Sequence, residues 1–345
     1  MHVVVIGLNH KTAPVSVRER FALDETRVPA ALAQFRASGV ATEAVIVSTC
    51  NRVEVYAATE HEPAEAWQRL TELLCAFCGN MARLDRELYA MAEPASIEHL
   101  FKVACGLDSM VLGETEILGQ LKRAYALAFN HGHAGPVLNM TFQSAFNAAK
   151  HVRTHTHIQR GSVSVASVAV DLAAQIFGSL CGRTVLVIGA GDTGEKAASA
   201  LISRGAKCII ANRSPERAQQ LATRLSGRAI EFGAWSDVFD EVDIVISSTG
   251  APHYVLDSDA LDALTQRRRS RPLLIIDVAV PRDIDPQAGA IPNVFLFNID
   301  DLQCISAQSA RGREAEVAKC EQIISARVDA LLKRLARREA AVRAQ

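Results

Sequence analysis

Residues 184–188, Thr-Val-Leu-Val-Ile, form an apolar run that ends in Gly189-Ala190-Gly191-Asp192-Thr193-Gly194 and opens onto a helical pattern reaching Ile202. An apolar run of this length reads as a strand buried on both faces. A lone G-x-G-x-x-G is weak evidence, but a strand before it and a helix after it, within a unit of about 30 residues, give it meaning. Gly189 allows the tight turn and Gly191 lets the backbone approach a pyrophosphate. Gly194 lets the helix pack close to the strand, and Ala190, Asp192 and Thr193 complete a loop that meets negative charge at a helix N-terminus. The motif therefore predicts a Rossmann-type, doubly wound parallel sheet that binds a dinucleotide.

The rest of the segment 160–300 agrees. Strand and helix patterns alternate as strand 208–211, helix 215–225, strand 244–247, helix 257–264 and strand 273–277. At the end of the second strand, 23 residues past Gly189, stand Asn212, Arg213 and Ser214. A carboxylate there would bond the ribose hydroxyls of NAD. A guanidinium with amide and hydroxyl neighbours suits a 2′-phosphate instead, so NADPH is the expected cofactor. The plainer reading of Arg213 is a solvated residue at a helix entry.

The flanking segments read differently. Within 1–150, strands are expected at 3–6, 44–47 and 53–56, with helices near 27–37, 64–77, 95–104, 115–130 and 138–155. They do not alternate strictly, which argues for an α+β domain. From Asn298 a single long helical pattern, rich in Ala, Arg and Glu, carries Val317, Ile323, Ile324, Val328, Leu331, Leu332 and Leu335. Such a helix needs a partner face, on its own chain or on a second copy. Gly161-Ser-Val-Ser-Val-Ala-Ser interrupts the helical stretches and predicts a hinge near 158–164.

Cys50 follows the apolar run Ala44–Val47 in Ser48-Thr49-Cys50-Asn51-Arg52. A thiol at a strand end, together with a hydride carrier, suits reduction of an acyl group to an aldehyde: the thiol captures the acyl group as a thioester, which then accepts hydride. Only about 3% of an ordinary thiol is ionised at pH 7. Arg52 is a candidate to lower the pKa or to clamp a substrate carboxylate, and Thr49 and Asn51 are candidate oxyanion donors. A second polar cluster, Asp108, Ser109, Glu114, Thr115, Glu116 and Gln120, interrupts an apolar segment, as loop capping or as a small-ligand site. His99 reads from spacing as a core histidine, with an acid–base role as the alternative.

Composition narrows the classes. Eight scattered cysteines do not form a disulfide framework, and the one C-x-x-C, Cys75–Cys78, lacks a second ligand pair, so no metal is expected. Lys and Arg total 37 against 38 Asp and Glu, so no global field points to a nucleic-acid partner. Residues 1–150 carry 13 basic against 16 acidic side chains, and 301–345 carry 9 against 6. A polyanion would have to be held locally, for which Arg267–Arg269 with Arg271 is a candidate and a solvated helix end the plainer reading. No run approaches the roughly 18 apolar residues of a membrane span, and the N-terminus has no basic region of a signal peptide, so a cytoplasmic location is expected.

The strings GLNHKTAPVSVRERFAL (7–23), STCNRVEVY (48–56), HLFKVACGLDSMVLGETEILGQLKRAY (99–125) and VLVIGAGDTGEKAA (185–198) resemble the glutamyl-tRNA reductases, from residue 1 to about 325. The resemblance implies NADPH-dependent reduction of glutamyl-tRNA to glutamate-1-semialdehyde, the first step of the five-carbon route to tetrapyrroles. It makes Cys50 the nucleophile and His99 an assisting catalytic residue, which reverses the core reading. Thr49, Asn51, Arg52, Ser109, Glu114, Thr115, Glu116 and Gln120 become the substrate pocket, Arg52 meeting the γ-carboxylate and a carboxylate of the cluster the α-ammonium. Residues 189–194 would hold the NADPH pyrophosphate, and the hinge would swing NADPH towards Cys50.

The implied architecture is an α+β N-terminal catalytic domain (1–157), a Rossmann-type doubly wound α/β NADP-binding domain (158–297) and a C-terminal long helix (298–345). Family members continue past this length with helices that complete a dimerisation domain, so a homodimer is expected, with 298–345 as a shortened dimerisation segment. The aminomutase that consumes glutamate-1-semialdehyde is a candidate partner. Two other readings compete. A shikimate-type NADP dehydrogenase with an added domain would stay active after Cys50→Ser. A non-catalytic NADP-binding regulatory paralogue would have no use for Cys50, Arg52 and the polar cluster.

Overall fold

A computed structural model gives the three-dimensional structure and describes residues 1–79, 87–110, 112–114, 116–158, 164–268, 271–308 and 314–343. The chain divides into two compact units, Met1–Ser162 with Ala310–Gln345, and Val163–Ser309. Thr115, Arg269 and residues 159–163 of the expected hinge lie outside the described residues.

The first unit runs β1 (His2–Asn9), α1 (Val15–Arg18), α2 (Val28–Ala37), β2 (Glu43–Ser48), β3 (Arg52–Thr59), α3 (Pro63–Phe77), β4 (Tyr89–Ala92), α4 (Ala95–Ala104), α5 (Glu116–Asn130) and α6 (Pro136–His155). Its strands form an antiparallel sheet in the order β2-β3-β1-β4. β3 is buried along its whole length, although its sequence alternates polar and apolar residues. Alternation puts Arg52, Glu54 and Tyr56 on one face and Val53, Val55 and Ala57 on the other. The polar face meets helices: Glu54 bonds His99 of α4, and the Tyr56 ring packs edge-on against Phe142 of α6 with centroids 5.5 Å apart. α6 lacks a side-chain cap of its own. Glu43 of β2 supplies one, accepting from the amides of Val137 (3.0 Å) and Leu138 (2.6 Å).

The second unit runs α7 (Val165–Phe177), β5 (Thr184–Gly189), α8 (Asp192–Ile202), β6 (Lys207–Asn212), α9 (Pro215–Arg224), β7 (Arg228–Glu231), β8 (Ile244–Ser248), α10 (Ser258–Gln266), β9 (Leu273–Asp277), β10 (Val294–Asn298) and α11 (Ile299–Gln308). All six strands are parallel, in the order β10-β9-β8-β5-β6-β7. Strand order reverses between β5 and β8, and a doubly wound sheet binds ligands outside the strand ends at that point.

The expected single helix from Asn298 is two: α11 belongs to the second unit, and α12 (Glu314–Arg343) to the first. α12 buries Cys320, Ile324, Val328 and Leu331, a stripe at helical spacing, in the core of the first unit. Glu316 accepts from the His157 amide at 2.7 Å, and Glu339 pairs with the N-terminal ammonium at 3.0 Å. A face of the helix is thus covered by its own chain.

Candidate active site

The turn between β2 and β3 carries Thr49, Cys50 and Asn51. It is closed by the Thr49 amide donating to the Arg52 carbonyl at 2.9 Å. The Thr49 hydroxyl oxygen accepts from the amides of Asn51 and Arg52, each at 3.2 Å. The backbone amides of Thr49 and Asn51, the expected oxyanion donors, are therefore already engaged within the turn. Outside the turn, Arg18, fully buried beneath it, donates to the carbonyls of Ala13 (3.2 Å) and Cys50, and the His10 amide donates to the Asn51 carbonyl at 2.9 Å.

The thiol is not acidic. Burial pushes Cys50 up to about 12, Glu114 and Glu116 push the same way, and Arg18 opposes them. Arg52, expected to activate the sulfur, acts elsewhere. Its Nη1 donates to Glu54 Oε1 at 2.6 Å, and its Nη2 to Asp108 at 2.6 Å (carbonyl) and 3.1 Å (Oδ2).

Glu54 is the centre of this network. Its Oε1 also accepts from the Tyr89 hydroxyl (2.5 Å) and from His99 Nε2 (2.8 Å), and its Oε2 from the Tyr56 hydroxyl (2.7 Å). Burial alone would raise its pKa, but Arg52 and then His99 outweigh that and hold the carboxyl well below the carboxylate range. An ionised Glu54 fixes a proton on His99 Nε2. Asp108 likewise stays charged, with Arg52 and Lys11 outweighing burial; Lys11 Nζ lies 2.5 Å from its Oδ1. His10 is held neutral, lowered to about 3 by burial and by Arg52.

Asp108, Ser109 and Glu114 come from one loop, whose closure needs glycine. Gly106 has φ +72°, its carbonyl accepts from the Gly113 amide at 2.9 Å, and a Cβ there would lie 2.8 Å from the Glu114 carbonyl oxygen. Glu116 opens α5. Gln120, a turn further on, lines a cavity of about 140 Å3 with Ile46 and Ser48, just before the Cys50 turn. Three buried polar atoms around Asp108 have no partner among the described residues: Arg52 Nε, His10 Nδ1 and Ser109 Oγ. Orphaned donors and acceptors of this kind are what a polar ligand would satisfy.

The site has two electrical sides. On one side Lys11 and Arg52 pair with the carboxylates Asp108 and Glu54, whereas on the other Glu114 and Glu116 act on the sulfur, opposed by Arg18. Sequence reasoning placed Asp108 in the polar cluster but missed Glu54, Lys11, Arg18 and Tyr89 as members. The visible signal was the buried Arg-x-Glu-x-Tyr alternation of β3.

In the second unit, the glycine motif sits at the strand-order reversal. Gly189 ends β5 with φ +95°, and a Cβ on Gly189 or Gly191 would collide with Ser248 at the end of β8. A Cβ on Gly194 would lie 2.6 Å from Ser248 Cβ. The protein's own packing therefore demands Gly194, whereas at Gly191 the contact is with the rotatable Ser248 hydroxyl. Asp192 and Thr193 form the first turn of α8 after Ala190 and Gly191. At the end of β6, Asn212 Oδ1 accepts from the Ser214 amide (2.9 Å), and Ser214 caps α9. The exposed Arg213 guanidinium lies 5.6 Å from the Phe232 ring centroid. No carboxylate stands at these three positions, so the donors fit a 2′-phosphate.

Arg267, Arg268 and Arg271, at the end of α10, have structural partners. Arg268 is buried and donates to the carbonyls of Phe239 (2.8 Å), Val242 and Pro272 (3.1 Å), while Arg271 pairs with Asp243 at 2.7 Å and Arg267 with Asp240 at 3.5 Å. The solvated-end reading of Arg268 is corrected: three carbonyl acceptors draw it inside. Cys75 and Cys78 are free, partly buried thiols.

Comparisons with known proteins agree with this layout. Residues 6–156 match the family described as glutamyl-tRNAGlu reductase, N-terminal domain, and residues 171–305 match shikimate / quinate 5-dehydrogenase. The chain is 44% identical over 326 residues to a glutamyl-tRNA reductase of Geobacter sulfurreducens, covering 94% of this chain and 75% of that one. Identity is also 44% over 331 residues to its counterpart from Syntrophus aciditrophicus, covering 95% and 78%. The solved glutamyl-tRNA reductase of Methanopyrus kandleri matches with a TM-score of 0.53 and 36% identity, covering 96% of this chain and 80% of that one.

Proposed function

The chain belongs to the glutamyl-tRNA reductase family, and on that premise we propose that it reduces glutamyl-tRNA to glutamate-1-semialdehyde through a thioester on Cys50, using NADPH. One observation carries the reading: buried polar atoms without partners among the described residues, Arg52 Nε among them, in a site whose thiol is faced by Glu114 and Glu116. A glutamyl ester has an α-ammonium and a γ-carboxylate, and the site offers Glu114 and Glu116 to the first and the Arg52 guanidinium to the second. Arg52, fixed through both Nη groups, keeps Nε–H for the γ-carboxylate. Ser109 Oγ and His10 Nδ1 are further unsatisfied groups for the same ligand.

Burial first, and then Glu114 and Glu116, account for a resting thiol that is not acidic. Glu114 and Glu116 help hold Cys50 at about 12, so an α-ammonium that neutralises them acidifies the sulfur as substrate binds. Acyl exchange is balanced: the S–H and ester C–O bonds break, and a C–S bond and the O–H of the leaving ribose form. Positioning is then the main demand on the protein. Glu54 is a positioning residue, since it fixes His99 Nε2 and Arg52 together. Thr49 and Asn51 hold the turn, and Gln120 supports its approach.

In the second unit, the 189–194 loop at the start of α8 would hold the pyrophosphate, and Asn212, Arg213 and Ser214 the 2′-phosphate. When bound, the reduced nicotinamide supplies the hydride that releases the acyl group from Cys50 as an aldehyde. On the same reading the protein works as a homodimer and passes its aldehyde to the aminomutase that consumes it; sedimentation velocity with and without that enzyme tests both. The decisive assay is aldehyde formation from glutamyl-tRNA with NADPH. Wild-type protein that binds NADPH yet makes no aldehyde would overturn the reading.

A further inference from the structure

The molecule as a whole is nearly neutral, so it has no general attraction for a polyanion. An RNA substrate must then be held by a local patch, and Arg267, Arg268 and Arg271 at the end of α10 are engaged by carbonyls and carboxylates. A second patch remains. From Ile117 to Val170 the chain has no Asp or Glu at all, although 38 of its 345 residues are acidic. This acid-free segment contains most of α5 and all of α6.

The two helices border a cleft of about 610 Å3 lined by Lys122 from α5 and by Gln143, Phe146, Asn147, Lys150 and Arg153 from α6. Positions 143, 147 and 150 are spaced by four and three, so they share one stripe of α6, with Phe146 and Arg153 at its margins. Lys122, Lys150 and Arg153 are exposed, and none of them has a carboxylate in salt-bridge range among the described residues. Lys122 Nζ lies 5.9 Å from the Phe146 ring centroid. Three uncompensated cations, two side-chain amides and an aromatic face in one trough are the groups that take phosphates, sugar hydroxyls and an unstacked base.

The position is right for RNA whose 3′ end carries the reacting ester. Lys122 lies six residues beyond Glu116 on the same helix, a rise of about 9 Å. We propose that the α5–α6 cleft binds the phosphodiester backbone of the acceptor arm of the RNA substrate, with Lys122, Lys150 and Arg153 each neutralising a phosphate. This rests on the glutamyl-tRNA reading given above.

The test is equilibrium binding of uncharged tRNA(Glu) to the full chain over a range of KCl concentrations. Variants are K122Q, K150Q, R153Q, their triple combination, and the charge-keeping triple K122R/K150R/R153K. Each neutral substitution should reduce the slope of log affinity against log salt by about 0.7–0.9, and the triple by about 2–3. The charge-keeping triple should retain the wild-type slope, as should R337Q, which removes an exposed cation on α12. In turnover, the neutral triple should raise KM with kcat unchanged at saturation. A wild-type slope in the neutral triple would overturn the proposal and leave the glutamyl-tRNA reading intact, and loss of slope in the charge-keeping triple would overturn it as a structural effect. Wild-type protein that binds no tRNA at any salt concentration would overturn both.

Discussion

Arg52 and Glu54 sit two residues apart on the same face of β3 and form an ion pair of 2.6 Å, with side chains 1% and 0% exposed. A pair this deep is maintained only by further partners, and His99, Tyr56, Tyr89 and Asp108 supply them. The same contacts tie the strand beside the Cys50 turn to the loop that carries Asp108, Ser109 and Glu114.

Removing one partner should therefore cost more than removing both. Glu54→Gln leaves the buried guanidinium with Asp108 as its only remaining carboxylate partner among the described residues and should destabilise the protein by about 3 kcal/mol. Adding Arg52→Met should recover part of that loss, a coupling that a double-mutant cycle in urea measures directly.

The pH dependence follows from the same carboxyl. Glu54 has its native pKa held below the unfolded value of 4.5, so its contribution is complete above that value and is lost as pH falls towards the native pKa. Wild-type stability should fall below about pH 4.5, and Glu54→Gln should flatten that part of the curve. Urea midpoints measured from pH 3 to pH 8 give the comparison.

Cys50 should react as a desolvated thiol. With a pKa of about 12, its alkylation rate should climb about tenfold per pH unit from pH 7 to pH 10 without levelling off. Glu114→Gln removes a charge that holds the pKa up, so the free thiol should alkylate faster at pH 8 while turnover of glutamyl-tRNA falls. Peptide mass spectrometry of timed iodoacetamide reactions resolves Cys50 from the other cysteines.

Cofactor choice should reside in Arg213. Loss of a charge-assisted bond to a 2′-phosphate is worth about 1.5–3 kcal/mol, so Arg213→Ala should weaken NADPH binding about tenfold to a hundredfold and leave NADH nearly unchanged. Calorimetric titration with both nucleotides separates this outcome from a general loss of the fold.

Gly194→Ala should act through packing. Its Cβ would lie 2.6 Å from Ser248 Cβ, where α8 meets β8, and overpacking of this kind costs about 1–3 kcal/mol. Thermal unfolding should show the loss even without nucleotide.

Much of the architecture was legible because the central strands are continuous apolar runs: 184–188, 244–247 and 273–277 all fall within β5, β8 and β9. The missed strands, β4, β7 and β10, are edges. They are short and half-exposed, and residues such as Arg228 and Glu231 remove the apolar signal. That α11 and α12 belong to different units was hidden because the helical pattern reads on from one to the other. In the site, Cys50 and the glycine motif announce themselves because their chemistry lies within a few consecutive residues. The Glu54 network does not: Arg52 finds Asp108 56 residues away, and Glu54 finds His99 45 residues away, pairings that exist only once the sheet and α4 are packed.

The most direct test is to incubate the protein with tRNA carrying a labelled glutamyl group, omit NADPH, denature it at low pH and map the label. The thioester account predicts label on the peptide containing Cys50, its release as aldehyde when NADPH is added before denaturation, and no label on Cys50→Ser. Label on another residue, or aldehyde formed by Cys50→Ser, would contradict it.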